Sequence, residues 1–305
     1  MGTRPDSLAG SWYPASASAL RAEVTACARY AKGRLAGTDF RNRGTPVAIV
    51  VPHAGLAYSG GVAATGYLAV REAFVRVDAF VVFGAVHRFR VAVPGLWARG
   101  EWRTPLGDIQ VDGEIADALL DAGLCEENEA AHRGDNAIEL QTPFIKALFP
   151  EAKIVPLAAA FFPGAAGFGA NASRVVRETA PGRVVIAVAS TDLTHYGASF
   201  GVMPAGVGAP ALEWTRKNDR RFLDALTGLD LEAIVPIAAR DGSACGAGAA
   251  AAAAGWARER GAERGTVLAY ATSHDIAPSG IAEHFVGYGS VLYASNVDCQ
   301  KGGSA

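Results

Sequence analysis

The chain has 305 residues, half of them apolar, with 28 lysines and arginines against 30 aspartates and glutamates and a formal charge of −2. That is enough apolar material for one large core or two ordinary ones, and the balanced charge provides no basic field to gather nucleic acid or another polyanion. The first eleven residues carry Arg4, Asp6 and two glycines, so neither a signal peptide nor a membrane-spanning helix is expected, and the expected location is the cytoplasm.

Taken in chain order, apolar residues at helical spacing predict a helix over Ala17 to Tyr30. A β-branched run predicts a strand over Val47 to Val51, and a helix follows over Gly61 to Arg71. The pattern repeats with a strand over Asp78 to Gly84, then helices over Gly113 to Ala122 and Ile138 to Phe149. Strands follow at Lys153 to Ala158 and Arg183 to Ser190, and a helix at Ala211 to Leu226. The alanine-rich stretch Ala247 to Arg260 reads as a helix packed close to the sheet, because alanine favours helix and lets backbones approach. Thr266 to Ser273 and Phe285 to Tyr293 complete the strands. Alternation of this kind predicts an α/β fold, a central mixed sheet with helices on both faces. The 36 glycines and 15 prolines punctuate element ends rather than forming a linker, so a single domain over residues 1–305 is expected, its last ten or so residues a flexible tail.

In open α/β sheets, sites form beyond the carboxyl ends of the strands. Three predicted strand ends here lead into a histidine: Val51-Pro52-His53-Ala54-Gly55, Phe83-Gly84-Ala85-Val86-His87, and Ser190-Thr191-Asp192-Leu193-Thr194-His195. Any one of them could be an imidazole satisfying a loop hydrogen bond. Three at the same topological level point to a shared site, and imidazole is the commonest neutral metal ligand. The four cysteines form no CxxC pair, which argues against a zinc ribbon or a disulfide scaffold. Cys245 lies in the small-residue turn Asp241 to Gly246 just before the alanine-rich helix, where a thiolate gains from the helix N-terminus. A small buried apolar residue is the competing reading there. Cys27, Cys125 and Cys299 lack such surroundings and are read as structural or incidental.

These segments resemble the MEMO family, also called AmmeMemoRadiSam system protein B, over nearly the whole chain. The matching stretches are Ala9 to Pro14, Pro52 to Gly55, Gly84 to His87, Arg103 to Gly107, Ile138 to Gln141, Ser190 to Gly197 and Cys245-Gly246. The family is similar in turn to the LigB-type class III extradiol dioxygenases, and this implies the fold and the ligand set. His53 and His87 would be the metal ligands, with Cys245 in the place of a carboxylate. His195 would be an acid/base histidine beside the metal, and Asp192 would orient it or approach the ion. Trp12, Tyr13, Tyr58 and Glu139 would bind substrate, and His274, where relatives often have glycine, would be a local addition to that pocket.

The chain departs from the family pattern at Asp135-Asn136-Ala137-Ile138-Glu139, where Asn136 stands in place of a usual histidine. His132, four residues earlier, is read as a surface residue.

The resemblance implies one metal ion, Fe(II) foremost, with copper or zinc as alternatives. It implies a small chelating substrate, such as a phenol, and AMMECR1-domain and radical SAM proteins as partners. Three functions compete: a metal-dependent oxidoreductase, a metal-binding or adaptor protein without turnover, and a metal-assisted hydrolase using Asp192 or Glu139.

Overall fold

In the computed structural model the described residues are 2–37, 44–88, 91–159, 161–162 and 164–296. Cys299 and the expected tail over 297–305 lie outside them.

Six main strands carry the sheet: β1 Thr45–Val51, β2 Ala79–Gly84, β3 Lys153–Ala158, β4 Val185–Ser190, β5 Gly265–Thr272 and β6 Phe285–Ser295. Their spatial order is β5-β6-β1-β4-β2-β3. The four strands from β1 to β3 run parallel, and β6 is antiparallel to both β1 and β5. Short strands at Gly95–Leu96 and His195–Tyr196 extend the sheet at β3 and β6, so the predicted mixed sheet is the one observed.

The central strands are apolar on both faces, as parallel strands covered by helices must be. Ala48, Val50, Val81, Phe83, Val155, Leu157, Ala187 and Ala189 belong to one core, and Ile49, Val51, Phe80, Val82, Ile154, Ile186 and Val188 to the other. The first face is covered by α3 Gly113–Asp121, α5 Ala165–Thr179, α6 Ala209–Thr227, α7 Ile234–Asp241 and α8 Ala247–Glu259. The second is covered by α1 Ala17–Leu35, α2 Leu56–Ala73 and α4 Thr142–Leu148.

Every residue of α8 from Ala247 to Ala257 is buried. The helix can enter that layer because its neighbour approaches backbone to backbone. A Cβ on Gly169 would fall 1.8 Å from the Ala252 carbonyl oxygen, and one on Gly255 would fall 1.9 Å from that of Ala166.

Three expectations are corrected. The second helix starts at Leu56 rather than Gly61, because Gly60 and Gly61 lie inside it and permit close contact with α1. Cβ atoms there would meet the Cys27 sulfur and the Tyr30 ring, each at 2.6 Å. The single helix expected over Ile138 to Phe149 is two pieces, Asn136–Glu139 and α4. Pro143 opens the second piece, since its ring has no N–H to continue the first. Helices α5 and α7 were not predicted: α5 begins in a glycine-rich stretch and α7 contains Pro236, and both features weaken the helical signal.

Candidate metal centre

The register of the parallel strands places the site. Val51 and Gly84 both pair with Ser190, so the ends of β1, β4 and β2 lie side by side. His53 follows two residues after the first end and His87 three after the last, and β4 lies between these two strands. Cys245 comes from the other side of the chain, held by its own N–H on the Asp192 carbonyl just before α8.

The result is a cluster in which the ligand atoms of His53, His87 and Cys245 all lie within 4.8 Å of one another. His53 Nε2 is 3.2 Å from Cys245 Sγ, and the two imidazole rings meet edge to face with centroids 5.2 Å apart.

Hydrogen bonds behind the rings decide which nitrogens face the cluster. Ser190 Oγ donates to the Ala137 carbonyl, which can only accept, so its contact with His53 Nδ1 at 3.0 Å must run from the ring N–H to the hydroxyl. Asp135 Oδ1 lies 3.2 Å from His87 Nδ1 and plays the same part there. Both imidazoles thereby carry a proton on Nδ1 and turn Nε2 inward, an arrangement in which the other ring nitrogen is held by an outer partner as in metal-binding histidines.

The backbone is held with equal care. Asp192 Oδ1 accepts from the N–H groups of His53 at 2.7 Å and Ala54 at 3.2 Å. Asp135 Oδ2 accepts from His87 N at 2.8 Å. Asn136 donates its amide to the His53 carbonyl at 3.2 Å.

Burial raises the proton affinity of the Cys245 thiol. The charge and hydrogen bond of His53, with the hydrogen bond of His87, outweigh it and bring the thiol down to about 5. Burial works against charge on His53, yet Cys245 and Asp192 raise its affinity for a proton. The hydrogen bonds of Asp135 and Cys245 raise His87 to about 10. A thiolate beside two proton-loving imidazoles is a site whose stabilising cation can be a proton or a metal ion. Two imidazole nitrogens and one thiolate sulfur fit a transition metal rather than calcium or magnesium.

The model of the Memo-like protein family matches residues 4–292. This chain belongs to the Memo family. It is 32% identical over 297 residues to a MEMO1 family protein of Methanopyrus kandleri, covering 95% of this chain and 98% of the relative. A MEMO1 family protein of Methanosarcina acetivorans is 32% identical over 296 residues, covering 96% and 99%. Among solved structures, an uncharacterized protein of Escherichia coli K12 superposes with a TM-score of 0.51 at 14% identity. It covers 80% of this chain and 98% of that one, a likeness of fold alone.

The remaining predicted site residues of this Memo-family chain fall into separate groups. Tyr58 and His274 line one hollow of about 500 Å³, together with Ser273, His284 and Tyr288. Tyr288 follows Gly287, whose backbone bonds Leu193 and Thr194 in the loop that also carries Asp192. His195 Nδ1 bonds the Leu193 carbonyl at 3.1 Å, whereas the Asp192 carboxylate serves the His53 loop. Trp12 is partly exposed, and its carbonyl accepts the Leu56 N–H at the start of α2.

Tyr13 and Glu139 are brought together elsewhere. Tyr13 Oη donates to Glu139 Oε1 at 2.8 Å, and Arg4 Nη1 reaches Glu139 Oε2 at 2.6 Å. The surface reading of His132 is overturned: it is buried, with Nε2 3.0 Å from the Gly95 carbonyl and its ring edge-on to Trp97 and Trp102.

Sequence reasoning missed Asp135, Ser190 and Gln141 as supports of the ligands. Gln141 donates to Ser190 Oγ at 2.8 Å and to the Pro52 carbonyl at 3.0 Å. A signal existed for Ser190, a polar residue at the end of an otherwise apolar run, whereas Asp135 and Gln141 sit among other polar residues and carried none.

Proposed function

We propose that this protein is a metal-dependent oxidoreductase that binds Fe(II) through His53, His87 and Cys245 and acts on a small chelating substrate such as a phenol. The observation that carries this reading is the convergence of the three ligand atoms within 4.8 Å. Bound there, a ferrous ion supplies one-electron redox chemistry and Lewis acidity toward a chelating hydroxyl.

The protein's own residues do the rest. Ser190 and Asp135 hold the two ligand rings with Nε2 inward, and Asp192 fixes the backbone of the His53 loop. The hollow walled by Tyr58, His274 and Tyr288 receives the part of the substrate that does not chelate. His195, with Nδ1 occupied by a carbonyl, keeps Nε2 to take a proton from a substrate hydroxyl.

The thiolate favours a second reading, in which copper or zinc is held without turnover, since sulfur replaces the carboxylate a working dioxygenase uses. Metal content after anaerobic purification, followed by oxygen uptake with a panel of catechols, separates the two. Stoichiometric iron and uptake that is lost in His195→Ala support the enzyme. Bound metal with no uptake on any catechol supports the binding role.

A further inference from the structure

Asp219, on α6, is fully buried, and its three hydrogen-bond donors are all uncharged. Oδ1 accepts the Thr194 N–H at 3.0 Å and the Thr194 hydroxyl, and Oδ2 accepts the Tyr270 hydroxyl at 2.7 Å. The strand beside it leaves room only for glycine, because a Cβ on Gly287 would lie 2.1 Å from Asp219 Oδ2. A carboxylate buried among neutral donors is expensive to keep. Burial raises its proton affinity to about 6, against the opposing hydrogen bonds of Thr194 and Tyr270.

Thr194 is the residue Asp219 grips, and it precedes His195 directly. Its hydroxyl also accepts from Asn218 Nδ2 at 3.0 Å, and its carbonyl accepts the Gly287 N–H. Leu193 N in turn donates to the Gly287 carbonyl at 2.8 Å. With residues 193 and 194 pinned between α6 and β6, the Leu193 carbonyl is presented to His195 Nδ1, and Phe200 packs edge to face against the ring. A carbonyl only accepts, so the neutral ring must carry its proton on Nδ1.

We propose that Asp219 is a positioning residue for His195: through Thr194 it clamps the turn that locks the imidazole in the Nδ1–H tautomer, leaving Nε2 as the free base. This rests on His195 being the proton carrier proposed above, but its test does not need turnover.

With only six histidines in the chain, nitrogen-15 histidine labelling resolves the His195 ring, assigned by its loss in His195→Gln. The wild-type protein should show a single neutral tautomer. Asp219→Ala should show a mixture of tautomers, whereas Asp219→Asn, which keeps an acceptor for Thr194, should restore the single one. Should Asp219→Ala fail to fold, Thr194→Val against Thr194→Ser makes the same comparison from the other end of the contact. The single tautomer persisting in a folded Asp219→Ala or Thr194→Val protein would overturn the proposal, as would Asp219→Asn behaving like Asp219→Ala. If the tautomer changes as expected while no catechol supports oxygen uptake in the wild type, the positioning stands and the oxidoreductase reading fails.

Discussion

The segment from Asp135 to Gln141 separates two buried polar clusters that differ in one respect. On one side Arg4 is saturated. Its five N–H groups reach the His132, Pro5 and Asp135 carbonyls and Glu139, and its guanidinium lies 4.2 Å over the Trp102 ring. Glu139 is closed as well, by Arg4, Tyr13 and the Leu8 N–H. On the other side Asp135, Ser190 and Asp192 hold the rings and backbone of His53 and His87, yet two imidazoles and a thiolate turn their ligand atoms toward a common point. Burial and charge are common to both clusters. What distinguishes the candidate metal site from the structural cluster is three ligand atoms that the protein leaves convergent.

That contrast can be broken most decisively at the ligands. A His53→Ala, His87→Ala double variant should retain no metal after dialysis, as measured by elemental analysis, while the folded fraction by circular dichroism stays high. Metal retained at wild-type stoichiometry would end the assignment.

Next comes thiol reactivity in the metal-stripped protein at pH 7. Cys245 is held near 5, whereas burial pushes Cys27 and Cys125 up to about 12. Iodoacetamide should therefore label Cys245 at least about 100-fold faster than either, because only the thiolate attacks. Adding Fe(II) should slow the labelling, and equal rates for the three cysteines by peptide mass spectrometry would contradict the electrostatics described.

On the saturated side the expected effect is on folding instead. Arg4→Met strands the Glu139 carboxylate in the core and should cost about 3–5 kcal/mol in urea unfolding. Metal stoichiometry of the folded protein should be unchanged, and a loss of metal in that variant would mean that the two clusters are coupled.

The smallest effect follows from His132, which burial pushes down from 6.5 to about 4. The folded protein resists protonation there, so its contribution is complete above pH 6.5 and is lost as pH falls from 6.5 toward 4. By linkage this amounts to about 3 kcal/mol. His132→Gln should flatten the pH dependence of the unfolding free energy in that window, and an unchanged slope would show that the ring is not neutral when buried.

Much of this was legible in the primary structure. Local patterning determined the six strands, the helix that buries the alanine run, and the arrival of His53, His87 and His195 at strand ends. It could do so because a strand covered on both faces must be apolar throughout and must turn polar where it leaves the sheet. Only the tertiary structure decided that Val51, Ser190 and Gly84 share one level, that Cys245 reaches His53 from nearly 200 residues away, and that Tyr13 and Glu139 belong to Arg4 rather than to the hollow. It also moved His132 from the surface to the core. Such facts depend on strand register and on contacts between distant segments, and a polar side chain carries no mark of the partner that will satisfy it.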